Sequence, residues 1–306
     1  MYEKIVLVTR RTRLAGLVER FNTKKQAKFY VEHAGQDFEE FSREDESYRR
    51  SVDTLRDALG LGLPVQQVDR SLVPTFLFTG KEVVVVAGQD GLVANVAKYV
   101  GEQPLVGVNP DPERFDGVLL PYRVAGARGA VRRVLEGKAG FRQVTLAEAR
   151  LGDGQRLLAF NDLFIGAKTH VSARYQLRYG DQEEAQSSSG VLVSTGAGSS
   201  GWLSSVFTLA RSLTQQTGGV PGQPWKLGWE EPKLAFVVRE PFISRHSAAD
   251  VVGGFVTEER ELVLESRMAS GGVIFSDGVE EDFLTFGAGA TARIRPAKQR
   301  ARLVVG

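Results

Sequence analysis

The stretch Val83-Val84-Val85-Val86-Ala87-Gly88-Gln89-Asp90-Gly91 constrains this chain more than any other. The strand Glu82–Ala87, fully apolar from Val83 onward, runs into a glycine turn. Leu92, Val93, Val96, Ala97 and Val100 then recur at helical spacing, so the turn joins a buried strand to an amphipathic helix. A strand with no polar alternation is covered on both faces, which is the signature of a parallel sheet. Backbone N–H groups and the positive end of the helix dipole at such a turn favour an anion, and a phosphorylated ligand is the first expectation. Asp90 sits awkwardly in an anion cradle. It either orients a hydroxyl that attacks a phosphate or caps the helix that follows.

The remaining pattern divides in two. Strand Lys4–Thr9, helical periodicity over Thr12–Phe21, Thr23–His33 and Gln36–Leu59, strands Pro64–Asp69 and Pro104–Val108, helix Leu92–Val100 and helix Ala125–Leu135 describe an α/β layer architecture. Beyond about Gly140, short strands alternate with turns. They are Val144–Leu151, Leu157–Ile165, Ala173–Tyr179, Lys233–Arg239, Asp250–Val256, Glu261–Ser266, Val273–Phe275, Ala292–Ile294 and Arg302–Val305, interrupted by one helix, Trp202–Gln215. Gly152-Asp153-Gly154 and Gly180-Asp181 read as hairpin turns. The second part is therefore mainly β. The Gly- and Pro-rich stretch Gln216–Pro232, with Trp225 and Trp229, reads as a long loop that packs in part on the protein.

Composition removes several chemistries. There is no cysteine, so disulfides, thiol catalysis and cysteine-held metal clusters are excluded. The histidines at 33, 170 and 246 lie far apart, outside any metal-ligand spacing. A formal charge of +2 over 306 residues calls for neither a nucleic-acid surface nor a membrane patch, although Arg142–Arg156 and Arg293–Arg302 are locally basic. No signal-peptide layout precedes the first strand and no apolar run approaches ~18 residues, so a soluble, cytoplasmic protein is expected.

Two further segments carry polar chemistry inside apolar surroundings. Asn161-Asp162 interrupts Leu158-Ala159-Phe160 and Leu163-Phe164-Ile165. The pair offers a donor and acceptors to a ribose or an adenine edge, or marks a bulge or edge turn. Val191-Leu192-Val193-Ser194 leads into Thr195-Gly196-Ala197-Gly198-Ser199-Ser200-Gly201-Trp202. Its glycines admit a ligand close to the backbone and its hydroxyls can bond one; the plainer reading is a Ser/Gly turn with Ser199 as a helix cap.

The ordered set Gly88-Gln89-Asp90-Gly91, Gly107-Val108-Asn109-Pro110-Asp111-Pro112-Glu113-Arg114, Asn161-Asp162, Ser188-Ser189-Gly190 and Thr195 through Trp202 resembles the NAD kinase family, in the branch that includes the animal mitochondrial enzyme. Val238-Arg239-Glu240-Pro241 and Ser276-Asp277-Gly278 extend the likeness toward the end. The resemblance implies a phosphofructokinase-like, NAD kinase-like α/β domain over residues 1–140, a β-rich dinucleotide-binding domain over 141–290, and a segment 291–306 that packs back on the first domain. It also implies an ATP-dependent kinase that phosphorylates the 2′-hydroxyl of the adenosine ribose of NAD to give NADP. Mg²⁺ would arrive with ATP, and the protein would assemble as a homo-dimer or tetramer.

On the same resemblance Asp90 is the catalytic base. Gly88, Gln89, Gly91, Asn109, Asn161, Asp162, Thr195, Gly196, Gly198, Ser199, Ser200 and Trp202 bind the nucleotides. Gln89 stands where the family has a second glycine, so its side chain is expected to crowd the phosphates or to impose a backbone angle that glycine tolerates better. Asp162 is one methylene shorter than the family's glutamate, and Ser189 replaces an aspartate, as it does throughout the mitochondrial-like branch. A related kinase acting on a sugar or lipid hydroxyl, and an NAD(P)-binding sensor without turnover, are the alternative functions. Against a lipid substrate stands the lack of a basic amphipathic segment in the sequence.

Overall fold

The computed structural model describes residues 1–306, apart from the side chain of Glu281. The chain forms two compact units, Met1–Arg142 with Arg302–Gly306, and Gln143–Ala301.

In the first unit, β1 (Lys4–Thr9) is followed by α1 (Arg13–Phe21), α2 (Lys24–His33), α3 (Phe38–Ala58) and β2 (Val65–Asp69). Then come β3 (Glu82–Ala87), α4 (Asp90–Ala97), β4 (Pro104–Asn109), the short β5 (Tyr122–Arg123) and α5 (Val124–Leu135). Thr12, Thr23 and Asp37 each cap the helix they precede, accepting from Ala15, Gln26 and Glu39. Each cap satisfies one of the otherwise unpaired N–H groups of a first turn. The strands lie parallel in the order β2-β1-β3-β4. Every residue of β3 and of β4 is buried, as the apolar runs Val83–Ala87 and Pro104–Val108 within them require. Tyr48, Val52 and Leu55 of α3 and Ala127, Val131 and Val134 of α5 complete this core.

The strand order places β2 and β3 on opposite sides of β1, so the chain reverses its winding there. In open parallel sheets, ligands settle outside the carboxyl ends of strands at such a reversal. The glycine–aspartate turn after β3 lies at this end of the sheet.

The second unit runs β6 (Gly140–Leu151), β7 (Arg156–Ala159), β8 (Asp162–Ala167), β9 (Ala173–Tyr179), β10 (Gln182–Ser188) and β11 (Val191–Ser194). After α6 (Trp202–Gln216) it continues with β12 (Leu234–Val238), β13 (Gly253–Val256), β14 (Leu262–Ser266), β15 (Gly272–Ser276), β16 (Val279–Thr285) and β17 (Thr291–Val305). One antiparallel sheet has the order β13-β12-β11-β8-β15-β16. Strands β10, β9, β14 and the first part of β17 form another antiparallel run. Leu163, Ile165, Val193 and Phe236 from the first set meet Tyr175, Leu177, Leu264 and Ile294 from the second in one apolar core. Trp225, in the loop after α6, packs against Phe207 and Phe255.

Three expectations need correction. Leu157–Ile165 is two strands, because the chain turns at Phe160-Asn161. The stretches Ala292–Ile294 and Arg302–Val305 are ends of a single strand, β17. Its cationic middle stays extended because Arg295 pairs with Glu148 at 3.0 Å and Arg300 donates to Thr145 at 3.0 Å. β16 was not foreseen, since Val279-Glu280-Glu281-Asp282 is too acidic to read as a strand. The structure also reveals a basic, aromatic surface on α1 and α2: Phe29 is 70% exposed beside Arg20, Lys25 and Tyr30. The expected lack of such a surface therefore does not hold, and it no longer counts against a lipid hydroxyl as substrate.

Candidate active site

Asp90 is the first residue of α4, and the residue at the capping position is Gln89, whose side chain caps nothing. The capping reading of Asp90 is thus overturned. Its carboxylate instead accepts the backbone N–H groups of Leu119 at 2.8 Å and Val118 at 3.2 Å. Asp90 is half-buried, so part of its acceptor capacity remains for a substrate. Gln89 has φ −111° and is exposed. That angle is open to any residue, so the expectation that Gln89 imposes a glycine-like backbone fails. A Cβ on Gly91 would meet nothing within 4 Å, which leaves open space in front of the first turn of α4. Gly88 lacks this room, since a Cβ there would lie 2.6 Å from Leu92.

Asn109, at the end of β4, shapes its own loop. Its amide donates to Phe115 O at 2.8 Å and its oxygen accepts from Asp111 N at 3.0 Å. Arg114 in that loop pairs with Glu40 and Glu44 of α3. Burial alone would raise the Glu44 carboxyl, but hydrogen bonds and ion pairs with Arg13 and Arg10 outweigh it and hold the group below its ordinary range. The loop that Asp90 grips is therefore anchored at both ends.

Tyr48 was not singled out in the sequence, where it lies inside a highly charged helix. Its hydroxyl donates to Ala87 O at 2.8 Å and accepts from Arg10 N at 2.9 Å. One side chain thereby ties together the carboxyl ends of β1 and β3. Beside it lies a cavity of about 420 Å³, whose lining includes Thr9, Arg10, Thr12, Asp45 and Asp69. Its volume is that of a small-molecule site.

In the second unit, the structure brings Asn161, Asp162, Thr195, Gly196 and Gly198 together. Asp162 pairs with Ser194 across β8 and β11. Thr195 N donates to Asn161 O at 2.9 Å and its hydroxyl donates to Phe160 O at 2.6 Å. That hydroxyl also accepts from Gly198 N at 3.1 Å. Gly196 and Gly198 are required by close approach: a Cβ would lie 2.0 Å from Gly228 O in the one case and 2.2 Å from Asn161 O in the other. Ser199 does not cap α6. It donates to Gly196 O at 2.7 Å, and Gly201 holds the capping position. Ser200 is exposed. Trp202 stacks on Phe164 with ring centroids 5.7 Å apart, and the Arg239 guanidinium lies 5.1 Å from its ring.

Asp162 is the electrostatic centre of this group. Its Oδ1 is buried and has no hydrogen-bond partner. Burial pushes its carboxyl up to about 7, a hydrogen bond with Ser194 opposes the rise, and the negative charge of Asp277 adds to it. Asp277 bonds the backbone of the Asn161 turn. In the sequence it showed only within Ser276-Asp277-Gly278, a segment of the family resemblance with no role assigned to it. Asp90 and Asn109 belong to the first unit, and Asn161, Asp162 and Thr195 through Trp202 to the second.

The chain thus has a parallel α/β unit with a glycine–aspartate turn opening a helix, and an antiparallel β unit that sets an Asn-Asp turn against a Thr-Gly loop. Comparison with solved structures identifies this as the fold of the NAD kinases. Yeast NADH kinase complexed with NADH is covered over 84% of its chain by all of this one, with a TM-score of 0.57 and 13% identity. An NAD kinase from Archaeoglobus fulgidus in complex with ATP is covered over 89% by 83% of this chain, with a TM-score of 0.54 and 17% identity. In sequence, the chain is 27% identical to mitochondrial NAD kinase 2 of Rattus norvegicus, over 63% of this chain and 61% of that protein. The Homo sapiens counterpart is likewise 27% identical, over 63% and 59%. The chain thus spans about three fifths of the length of these relatives. No family profile matches it. The resemblance to NAD kinases therefore stands in both sequence and fold.

Proposed function

We propose that this protein is an ATP-dependent NAD kinase, transferring the γ-phosphoryl group of ATP to the 2′-hydroxyl of the adenosine ribose of NAD. The observation that carries the reading is the Asn161-Asp162 turn. Two polar side chains stand at a strand break, their backbone is engaged by Asp277 and the Thr195 loop, and one buried carboxylate oxygen lacks a partner. A buried acceptor without a donor is costly, and a ribose hydroxyl supplies the missing donor. The relatives' names agree with this assignment.

In the proposal each unit has its own part. Asp90 orients the accepting hydroxyl and takes its proton as the phosphoryl group transfers, which demands positioning more than covalent chemistry. The open face at Gly91 and the uncapped first turn of α4 supply room and N–H donors for phosphate oxygens. Asn161, Asp162, Ser200 and Trp202 offer the second unit's binding groups for a dinucleotide. Among the described residues no three His, Asp or Glu side chains gather to hold a metal. Mg²⁺ in this reading enters with ATP, held by phosphates and water, where it neutralises phosphate charge.

Self-association belongs to the same proposal. Leu209 and Leu213 on α6 are 55% and 53% exposed, and Arg211 is the one charged residue of that helix. An exposed helix face of this kind suits a second copy of the chain.

The test is a panel of acceptors. Purified protein is given ATP labelled in the γ-phosphate, Mg²⁺ and, in turn, NAD, NADH, a hexose and a diacylglycerol in mixed micelles. Label is expected in the dinucleotide; transfer to sugar or lipid alone would replace the proposal with one of the other kinases.

A further inference from the structure

The carboxylate of Asp277 collects three consecutive backbone N–H groups, those of Phe160 at 2.9 Å, Asn161 at 2.6 Å and Asp162 at 3.2 Å. Its own N–H donates to Asp162 O at 3.0 Å. The clamp is reciprocal and joins points more than a hundred residues apart. It is built on an unusual backbone: Asp277 has φ +53° and Gly278 has φ +69°, so two successive left-handed residues turn β15 into β16. Aspartate and asparagine tolerate that region better than other side chains, and the turn sends the Asp277 carboxylate back to the Asn161 segment.

The opposite edge of the same peptides is also occupied. Phe160 O accepts the Thr195 hydroxyl and Asn161 O accepts Thr195 N, with Gly198 packed closely behind. The three backbone donors go to Asp277, and the acceptors Phe160 O and Asn161 O go to Thr195. Asp162 Oδ1 is buried and has no hydrogen-bond partner.

We propose that Asp277 is a positioning residue for dinucleotide binding, fixing the Asn161 turn from behind without touching the nucleotide. This rests on the NAD kinase reading. A carboxylate accepting three N–H bonds is a strong anchor, and charged acceptors contribute more than neutral ones. Weakening it lets the turn relax and misaims both side chains, while the first unit's Asp90 and α4 are untouched.

The test compares Asp277→Asn with the wild type. Asparagine accepts the left-handed φ, but it offers one acceptor oxygen and sets an NH₂ group against N–H donors. The expected result is a rise of about tenfold in KM and in calorimetric Kd for NAD, with kcat and KM for ATP within about twofold, as loss of a charged hydrogen-bond acceptor at a binding turn would give. Amide exchange at Phe160, Asn161 and Asp162 should quicken while Val83–Val86 stay protected. A general loss of fold would not give that split. Should the variant not fold, exchange on the wild type decides: these three amides should be protected as well as those of β11, and fast exchange overturns the clamp. Unchanged NAD affinity in a folded variant also overturns it, as does an equal loss for NAD and ATP. If the wild type binds NAD in an Asp277-dependent way but forms no NADP, the kinase reading falls and this inference stands. If it binds no dinucleotide, both fall.

Discussion

Asp90 accepts the backbone N–H of Leu119 at 2.8 Å, so the proposed catalytic carboxylate is also the anchor of the loop after β4. The same side chain that would face a ribose hydroxyl is held in place by the segment beginning at Asn109. Asp90→Asn keeps one acceptor for that loop and loses the base. Turnover should fall by at least about 10², the low end for a positioned proton acceptor, with NAD affinity little changed. Steady-state kinetics beside calorimetry checks this, and an unaffected kcat removes Asp90 from the mechanism.

Asp162 gives a pH signature. Its carboxyl sits at about 7 against an ordinary 3.8, mainly through burial, with Ser194 lowering it and Asp277 raising it. The folded state therefore binds this proton more tightly than the unfolded chain across that interval, and the group's contribution to stability falls as pH rises through it, levelling off above 7. Asp162→Asn abolishes the term. The Tm of the variant minus that of the wild type should grow between pH 5 and pH 8 in differential scanning calorimetry. A flat difference would show that Asp162 is ionised at ordinary carboxylate pH.

The glycines of the two loops should separate by function. Gly198→Ala drives a Cβ to 2.2 Å from Asn161 O. Overpacking of this kind costs about 1–3 kcal/mol, seen as a lower urea midpoint. Gly91→Ala meets nothing within 4 Å and sits in a helix, where alanine is favoured over glycine by up to about 1 kcal/mol. It should hold or raise stability and raise KM for ATP. A stability loss at Gly91 would show that the open space there is filled by the protein itself.

Gln89→Gly tests the departure from the family turn. Because φ is −111° and the side chain is exposed, the change should leave the unfolding free energy from urea titration within the roughly 0.5 kcal/mol typical of surface sites. A large gain in kcat with no change in stability would show that Gln89 obstructs the phosphates.

Much of this site was legible because the relevant signals are local. The apolar run into Gly88-Gln89-Asp90-Gly91 announces a buried parallel strand and a helix start, and both are present. Asn161-Asp162 inside an apolar stretch announces a break, and the strand does break there. The misses are of another kind. Tyr48 bridges Arg10 and Ala87 from a helix whose other residues are mostly charged, and Asp277 reaches a turn more than a hundred residues upstream. Contacts at such separations leave no periodicity in either segment. Ser199 was misread for a subtler reason, since a serine before a helix satisfies the capping pattern whether its hydroxyl points forward to the helix or back to Gly196 O, as it does here.

The central claim is that this chain makes NADP. Purified protein is incubated with NAD, ATP and Mg²⁺, and NADP is read by an NADP-specific dehydrogenase, with Asp90→Asn in parallel. The account predicts time-dependent NADP formation that requires ATP and nearly disappears in the variant. No NADP above the blank from a folded protein that binds NAD and ATP would contradict it.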